Sequence, residues 1–400
     1  MAWTKFGWGT FMGEQTATLS GEGFFFDNLV STPRMQPYLD EARGDQKAAR
    51  ALYLWAEELA AAAFELLAHF EVGFRNAIDR ELATIFETPG KVPWLLSRSS
   101  LLGDEIREVV EDTRDSLPSE HRDLRGQIIA NLHFGFWTRM LGTKHDELWR
   151  EGLSKAFPRA VSRKDLSATV EGIRNFRNRI AHHDSVLELD VTFEAERIFQ
   201  AARSIAPLFE EFLRKIDRLT PLARKRPTEP QDTVLVPGFQ EWELYTKTGV
   251  YLCQPGRTFR PVKWIAFYVD RTVKEELPFI KERRDNVPFT TDEIKRLKGE
   301  KTPESRKIAK AIEHLLEHGW AQNSNSPKKR EVGGRYQVFV LTSDEEVQPH
   351  GLHKRLAVEI RNYESGKGSA WVTKQRYLYS DRLINEGADY LQSERDTTAS

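Results

Sequence analysis

Along the first half of the chain, apolar residues recur at spacings of three and four. Between Asp45 and about Glu87, Leu52, Trp55, Leu59, Ala63, Leu66, Leu67, Phe70, Phe74 and Ile78 keep this rhythm, which marks one buried face of a helix. The span is long for one globular helix. The pattern therefore predicts a bend or break inside Ala60–Ala63, with "TPGKVP" ending the segment. The same periodicity predicts helices over Gly103–Asp115, Leu124–Leu141, His145–Ala156, Ala168–His182 and Thr192–Leu219. Residues 1–30 are rich in Gly and Thr and read as a loop-rich lead-in. Ser31 or Thr32 is placed to cap a short helix, with Pro33 in its first turn. No stretch of 1–220 alternates for long as a strand would. The expected fold class there is an all-α helical bundle.

"PLARKRPTEPQDTVLVPG" interrupts the pattern, because proline is dense and no apolar stripe survives. A linker is expected at 221–235. Beyond it the periodicity changes. "GVYLC", "KWIAFYV" and "RYQVFVLTS" are short, β-branched and aromatic and read as strands. Thr291–Lys298, Ser305–His318 and Ser380–Leu391 read as helices, and "SPKKREVGGR" as an exposed hairpin-like loop. Residues 236–400 are thus expected to form an α+β or α/β domain, making a multidomain chain.

Charge sharpens this division. Residues 1–220 carry 28 Lys/Arg against 34 Asp/Glu, whereas 221–400 carry 31 against 26. The basic excess of the second half is a modest pointer to nucleic acid. The single cysteine, Cys253, excludes an internal disulfide and a cysteine-rich zinc site, and its apolar neighbours predict a buried residue. No apolar run reaches the roughly 18 residues a membrane span needs, and the N-terminus lacks the apolar stretch of a signal peptide. A cytoplasmic protein without membrane contact is expected.

The densest chemistry lies in "GIRNFRNRIAHHDSVLEL". Arg174, Arg177, Arg179, two asparagines, His182 and His183 crowd into ten residues. On a helix, Asn178 and His182 share a face that Arg174 extends, while Arg177 and His182 stand about 140° apart. A twofold dimer would bring two such sets into one cleft. The residue types suit RNA cleavage by internal transfer. An imidazole can move protons near neutral pH, and a guanidinium is shaped for phosphate oxygens. Asn178 could orient the imidazole or bond a phosphate oxygen. No metal or cofactor is expected, because the substrate carries its own nucleophile. The competing reading is a solvated helix face, with His182 and His183 interacting with the helix dipole.

Arg177-Asn178-Arg179-Ile180-Ala181-His182 resembles the Arg-(Asn/Asp/His)-x-x-x-His signature of the HEPN superfamily. Three further blocks resemble its Abi-like branch, known from bacterial abortive-infection systems: "STPRMQPYLDEARGDQKAARALYLW", "HFEVGFRNAID" and "NLHFGFWTRML". The four blocks stand in order across about 31–190. Ala56 departs from the asparagine that often follows the tryptophan in that branch. The resemblance implies a helical bundle and, for many members, a metal-independent endoribonuclease acting as a dimer. Carried onto this chain, Arg177 and His182 become the catalytic pair and Asn178 a polar helper.

Glu71 and Arg75, one turn apart, are either an ordinary ion pair or a support for the motif, with Glu71 fixing Arg177 or His182. Arg174 and His183 are further supporting candidates. His69 and His133 sit among apolar residues and read as packed, hydrogen-bonded histidines. "HFGFW" reads as core, with Gly135 admitting a neighbouring helix. In the second half Arg257, Arg260, Lys374 and Arg376, close to aromatic residues, are candidates for nucleic-acid or ligand binding. Plain strand edges would look the same.

The expected function is that of a metal-independent endoribonuclease of a bacterial abortive-infection or toxin-antitoxin type system. It would leave a 2′,3′-cyclic phosphate and a 5′-hydroxyl on its RNA substrate. The expected partners are a second copy of the chain and an antitoxin or phage-derived trigger sensed by the C-terminal domain. Two alternatives stand beside it: a non-catalytic HEPN dimerisation scaffold, and a C-terminal domain that itself acts on a nucleotide or DNA.

Overall fold

The computed structural model describes residues 26, 30–86, 93–122, 124–318, 333–343, 352–364 and 369–399. The lead-in loop, nearly all of "TPGKVP" and most of "SPKKREVGGR" lie outside the described residues. Residues 1–58 with 226–229 form one compact unit, and 59–225 with 230–400 a second.

In the first unit, α1 (Thr32–Glu41) has its proline in the first turn as expected, but Ser31 at its N-cap, at φ 75°, makes no side-chain cap hydrogen bond. Helix α2 (Gln46–Phe86) starts there, its residues from Leu59 onward belonging to the second unit. Tyr53 on α2 takes edge contacts from the rings of Phe26 and Tyr38. A buried Arg226–Glu41 ion pair lies beside Trp55, over which the Arg226 guanidinium sits. The expected break at Ala60–Ala63 does not occur, and α2 is one uninterrupted helix. Alanine is the strongest helix former and the tract holds neither Gly nor Pro, so nothing local interrupts it.

The helical part of the second unit continues with α3 (Asp104–Ser116), α4 (Arg125–Asn131), α5 (Phe134–Arg139), α6 (Asp146–Glu151), α7 (Arg163–Ala181), α8 (Val191–Ile205), α9 (Pro207–Ile216) and α10 (Leu219–Ala223). No strand occurs among the described residues up to 225. Three expected helices are subdivided for local reasons. His145–Ala156 breaks at Gly152 (φ 156°) into α6 and a 3-10 turn over Leu153–Ala156. Leu124–Leu141 breaks at Leu132 and His133, both extended, and His133 caps the second piece. Thr192–Leu219 breaks at Ala206, extended because the next residue is Pro207. Helices α2 and α9 approach so closely that a Cβ on Gly73 would lie 2.2 Å from the Phe209 ring.

The expected linker at 221–235 holds the end of α10 and most of β1 (Thr233–Pro237). Next come α11 (Phe239–Thr248), β2 (Val250–Cys253), β3 (Trp264–Val269), β4 (Thr272–Val273), β5 (Glu276–Leu277), β6 (Ile280–Pro288), α12 (Thr291–Glu300), α13 (Pro303–His318), β7 (Arg335–Leu341), β8 (Lys354–Arg355), β9 (Ile360–Arg361), β10 (Arg376–Leu378), α14 (Ser380–Glu386) and α15 (Ala388–Ala399). Strands β10-β1-β3-β4-β9 make a mixed sheet in which β1 and β3 run parallel, and β2-β7-β6 make an antiparallel one. Alternation along β3 explains its wholly apolar sequence. Trp264, Ala266 and Tyr268 join a core with Leu383, Tyr390 and Leu391 of α14 and α15. Ile265, Phe267 and Val269 join Tyr251, Cys253 and Phe339 of the other sheet. The outer face of that second sheet packs on α12 and α13 through Leu252, Val338, Ile294, Leu297 and Ile308. Cys253 is buried, as expected.

Within this unit the acidic helices and the basic second half meet through ion pairs. Arg197 of α8 bridges Glu194 (2.7 Å) and Asp285 of β6 (2.8 Å). Arg283 of β6 reaches Asp190 (3.4 Å) and lies over the Phe193 ring, 3.8 Å from its centroid. Arg335 pairs with Asp165, and Arg260 with Glu188. The charge-rich "IKERRDNVP" forms edge strand β6 because its neighbour is this acidic surface rather than an apolar core. A bulge between Arg284 and Val287, with Asn286 at φ 59°, interrupts the ladder beside Asp285.

Candidate functional site

Helix α7 is positioned by one apolar face and two well-formed ends. Leu166, Val170, Ile173, Phe176 and Ile180 are buried. Ser162 caps the N-terminus by accepting the Asp165 N–H. At the other end His183 takes the left-handed conformation (φ 56°). Its N–H bonds the Ile180 carbonyl, and the Asp184 N–H bonds the Arg179 carbonyl. These two bonds form a Schellman motif with histidine where glycine is usual.

The polar face of α7 lines a cavity of about 430 Å³ with Ser167, Glu171, Arg174, Arg177 and Asn178. The other wall comes from His133, Phe134, Gly135, Thr138 and Arg139 of the α5 segment and Gly142 after it. Two of the sequence blocks, "NLHFGFWTRML" and the arginine-rich helix, thus meet in one concave site. Arg177 Nε donates to Glu71 Oε1 at 3.2 Å, and its Nη1 lies 3.5 Å from Asn178 Oδ1. Arg174 is held by both carboxylate oxygens of Glu171. Arg139 pairs with Glu105 at 3.4 Å. Arg75 donates to Asn76 (3.4 Å) and acts on Glu71 only through its charge.

Electrostatics follow from this packing. Burial raises the Glu71 carboxyl above its ordinary value, with Arg177 and Arg75 pulling the other way. Partial burial and the cations Arg139, Arg177 and Arg174 lower the His133 imidazole. Three guanidiniums surround one concavity, each already paired with a carboxylate, Arg177 with Glu71, Arg174 with Glu171 and Arg139 with Glu105, and the N–H groups those pairs leave over are what the site offers an anion.

Arg177, Asn178 and Arg174 are brought together, with Glu71 behind them. His182 is not. It is the exposed C-terminal cap of α7, one turn beyond Asn178, whose carbonyl accepts the His182 N–H at 2.9 Å. His183 is also exposed, at the turn. His133 was expected to be a packed residue; it is exposed and lines the cavity. Gly135 was expected to admit a helix, but what lies over it is the His133 ring, 3.1 Å from an added Cβ. Histidine is not among the favoured N-cap residues, so residue type gave little signal that His133 would cap this helix. His69 is exposed too, edge-on to Phe212 at 5.7 Å.

The four basic candidates of the second half do not converge. Arg257 donates to the Lys374 carbonyl at 3.3 Å, so these two adjoin. Arg260 stacks over Tyr377 (4.8 Å) and pairs with Glu188 and Gln231. Arg376 neighbours Tyr377 in β10 and so points to the opposite face, with Leu378, towards Tyr390 and Glu394.

Comparison of the chain with protein-family models, with curated proteins and with solved structures finds no match. Among the described residues no helix is long and apolar enough to cross a membrane.

Proposed function

We propose that the helical half is an endoribonuclease of the HEPN kind, cleaving RNA by internal transfer without a metal. The observation that carries this reading is the cationic cavity holding Arg177, Asn178, Arg174, Arg139 and His133. The 2′-oxygen attacks phosphorus, the bond to the 5′-oxygen breaks, and one proton leaves the nucleophile while another reaches the leaving group. The products are a 2′,3′-cyclic phosphate and a 5′-hydroxyl. Arg177, aimed by Glu71, stabilises the charge that grows on the phosphorane oxygens. His182 serves as the acid or base. It lies outside the cavity lining of its own chain, so it acts in a cleft shared with a second copy.

An apolar surface beside the site supports such pairing. Phe64 and Val72 of α2 are 52% and 47% exposed, and Leu208 and Phe212 of α9 are 75% and 44% exposed. The Phe212 edge contact with His69 joins the two rows. Glu71 lies on the same helix as Phe64 and Val72, so a homodimer through this face would bring two Arg177 sites near each other. The chain then fits an abortive-infection or toxin-type system, with the second half restraining the helices or sensing a trigger.

The decisive experiment incubates purified protein with total RNA in excess chelator and maps the new ends. Cyclic phosphates that appear in wild type and vanish in Arg177→Ala support the reading. Cleavage that chelator abolishes overturns it. The exposed position of His182 favours one second reading, a non-catalytic scaffold. Growth arrest that survives His182→Ala, without RNA loss, would select it.

A further inference from the structure

His133 occupies a position the motif does not include. As the N-cap of α5, its Nδ1 accepts the Phe136 N–H at 3.0 Å. An N–H can be met only by an unprotonated ring nitrogen. The ring's proton therefore sits on Nε2, leaving Nε2–H as the polar group His133 can offer the cavity it lines. Gly135 sets the ring's place, since a Cβ there would stand 3.1 Å from Nδ1 and 3.3 Å from Cε1.

We propose that His133 binds the substrate as an uncharged hydrogen-bond donor, its Nε2–H bonding a phosphodiester oxygen held between Arg174 and Arg177. This inference rests on the ribonuclease reading for its substrate and goes beyond it in assigning His133 a contact and a tautomer. His133 is a binding residue, neither acid nor base. Every charged group of the surrounding elements bears on this. Arg139 on its own helix and Arg174 and Arg177 on α7 oppose a further positive charge. Glu171 on the cavity wall is engaged by both Arg174 donors. Protonating Nδ1 would also break the cap and leave the Phe136 N–H without that acceptor. So held, the neutral ring is the donor, and the grip on phosphate is expected not to strengthen as pH falls through the imidazole range.

The test measures binding of a 2′-fluoro RNA oligonucleotide, which keeps the diesters and lacks the nucleophile, by fluorescence anisotropy from pH 5.5 to 8. Three variants separate the roles. His133→Asn keeps the cap and removes the distal donor; it is expected to melt like wild type and bind about tenfold more weakly, the size of one hydrogen bond to a charged group. His133→Gln carries an amide N–H at about the distance of Nε2 and is expected to recover part of that loss. Gly135→Ala displaces the ring and is expected to weaken binding with the motif arginines intact. In cleavage, KM should rise in His133→Asn while the shape of the kcat pH profile stays. Unchanged binding in His133→Asn overturns the proposal. So does wild-type binding that falls as pH rises through the imidazole range when His133→Asn removes that fall, because the imidazolium would then be the binding form. Oligonucleotide binding that depends on His133, in a protein that cuts no RNA, would sink the ribonuclease reading and leave this one standing.

Discussion

Glu71 accepts a hydrogen bond from Arg177 across 106 positions of sequence, at 3.2 Å, and this bond ties the longest helix to the arginine-rich one. It also sets up an opposition. The carboxylate that orients Arg177 is itself disfavoured by burial, and its pKa is raised.

Glu71→Gln should therefore separate stability from activity. A raised folded pKa means that the protonated form is favoured on folding. The group's contribution is fullest below its unfolded pKa and is lost as pH rises through the folded value. The neutral amide should leave urea stability at pH 7 equal to or above wild type, with the difference closing towards pH 4. Cleavage should fall at least tenfold, because Arg177 loses its charged anchor. A clear loss of stability at pH 7 would show that the ion pair outweighs the burial cost.

Arg177 is expected to be sensitive to shape as well as charge. Arg177→Ala should cost roughly 100-fold or more in kcat, as removal of a transition-state donor does. Arg177→Lys should recover little, since an ammonium cannot hold Glu71 and a phosphate oxygen with one planar fork. Wild-type turnover in the lysine variant would argue for a simple electrostatic role.

The seam between the helices and β6 rests on buried guanidiniums. Arg283 is only 10% exposed and Asp190 21%. Arg283→Ala removes the Asp190 ion pair, while Glu194 keeps Arg197, and it uncovers one side of the Phe193 ring, at a cost of about 3 kcal/mol. Arg283→Met, of similar volume, should cost less. Equal urea midpoints for Arg283→Ala and wild type would mean that the seam contributes little.

The turn after α7 offers a backbone test. His183→Gly and His183→Ala both delete the side chain, but only glycine adopts φ 56° freely. The glycine variant should be the more stable by about 1 kcal/mol. The same stability in both would mean that the turn relaxes when the imidazole is removed.

Leu208→Glu, at the most exposed apolar position of α9, should lower the assembly state seen by light scattering and reduce cleavage while leaving the fold intact. A monomeric wild-type protein with full activity would remove the second copy from the mechanism.

Much of this was legible in the chain. The buried stripe of α7 follows from Leu166, Val170, Ile173, Phe176 and Ile180, and their spacing leaves Arg174, Arg177 and Asn178 on a polar face. The strands β2, β3 and β7 were visible from β-branched and aromatic residues. Strand β6 was not, because an edge strand facing acidic helices carries the charges of a loop. Gly387, at φ 58°, separates α14 from α15 where apolar spacing alone reads through. His133 makes the hydrogen bond expected of it but is not packed: its apolar neighbours suggested burial, and as the N-cap of α5 it is exposed at the cavity instead.

By itself the sequence determined local order: helices where apolar residues recur at helical spacing, strands where they alternate or run short, and a charge contrast between halves. These depend on neighbours within a turn or two, so periodicity reports them. Only the tertiary structure decided that the α5 segment faces α7 across a cavity, that Glu71 pairs with Arg177 rather than with Arg75, and that basic residues of the second half are engaged by acidic helices. Those pairings join residues tens to more than a hundred positions apart, and packing of whole elements selects them, which no short window of sequence encodes.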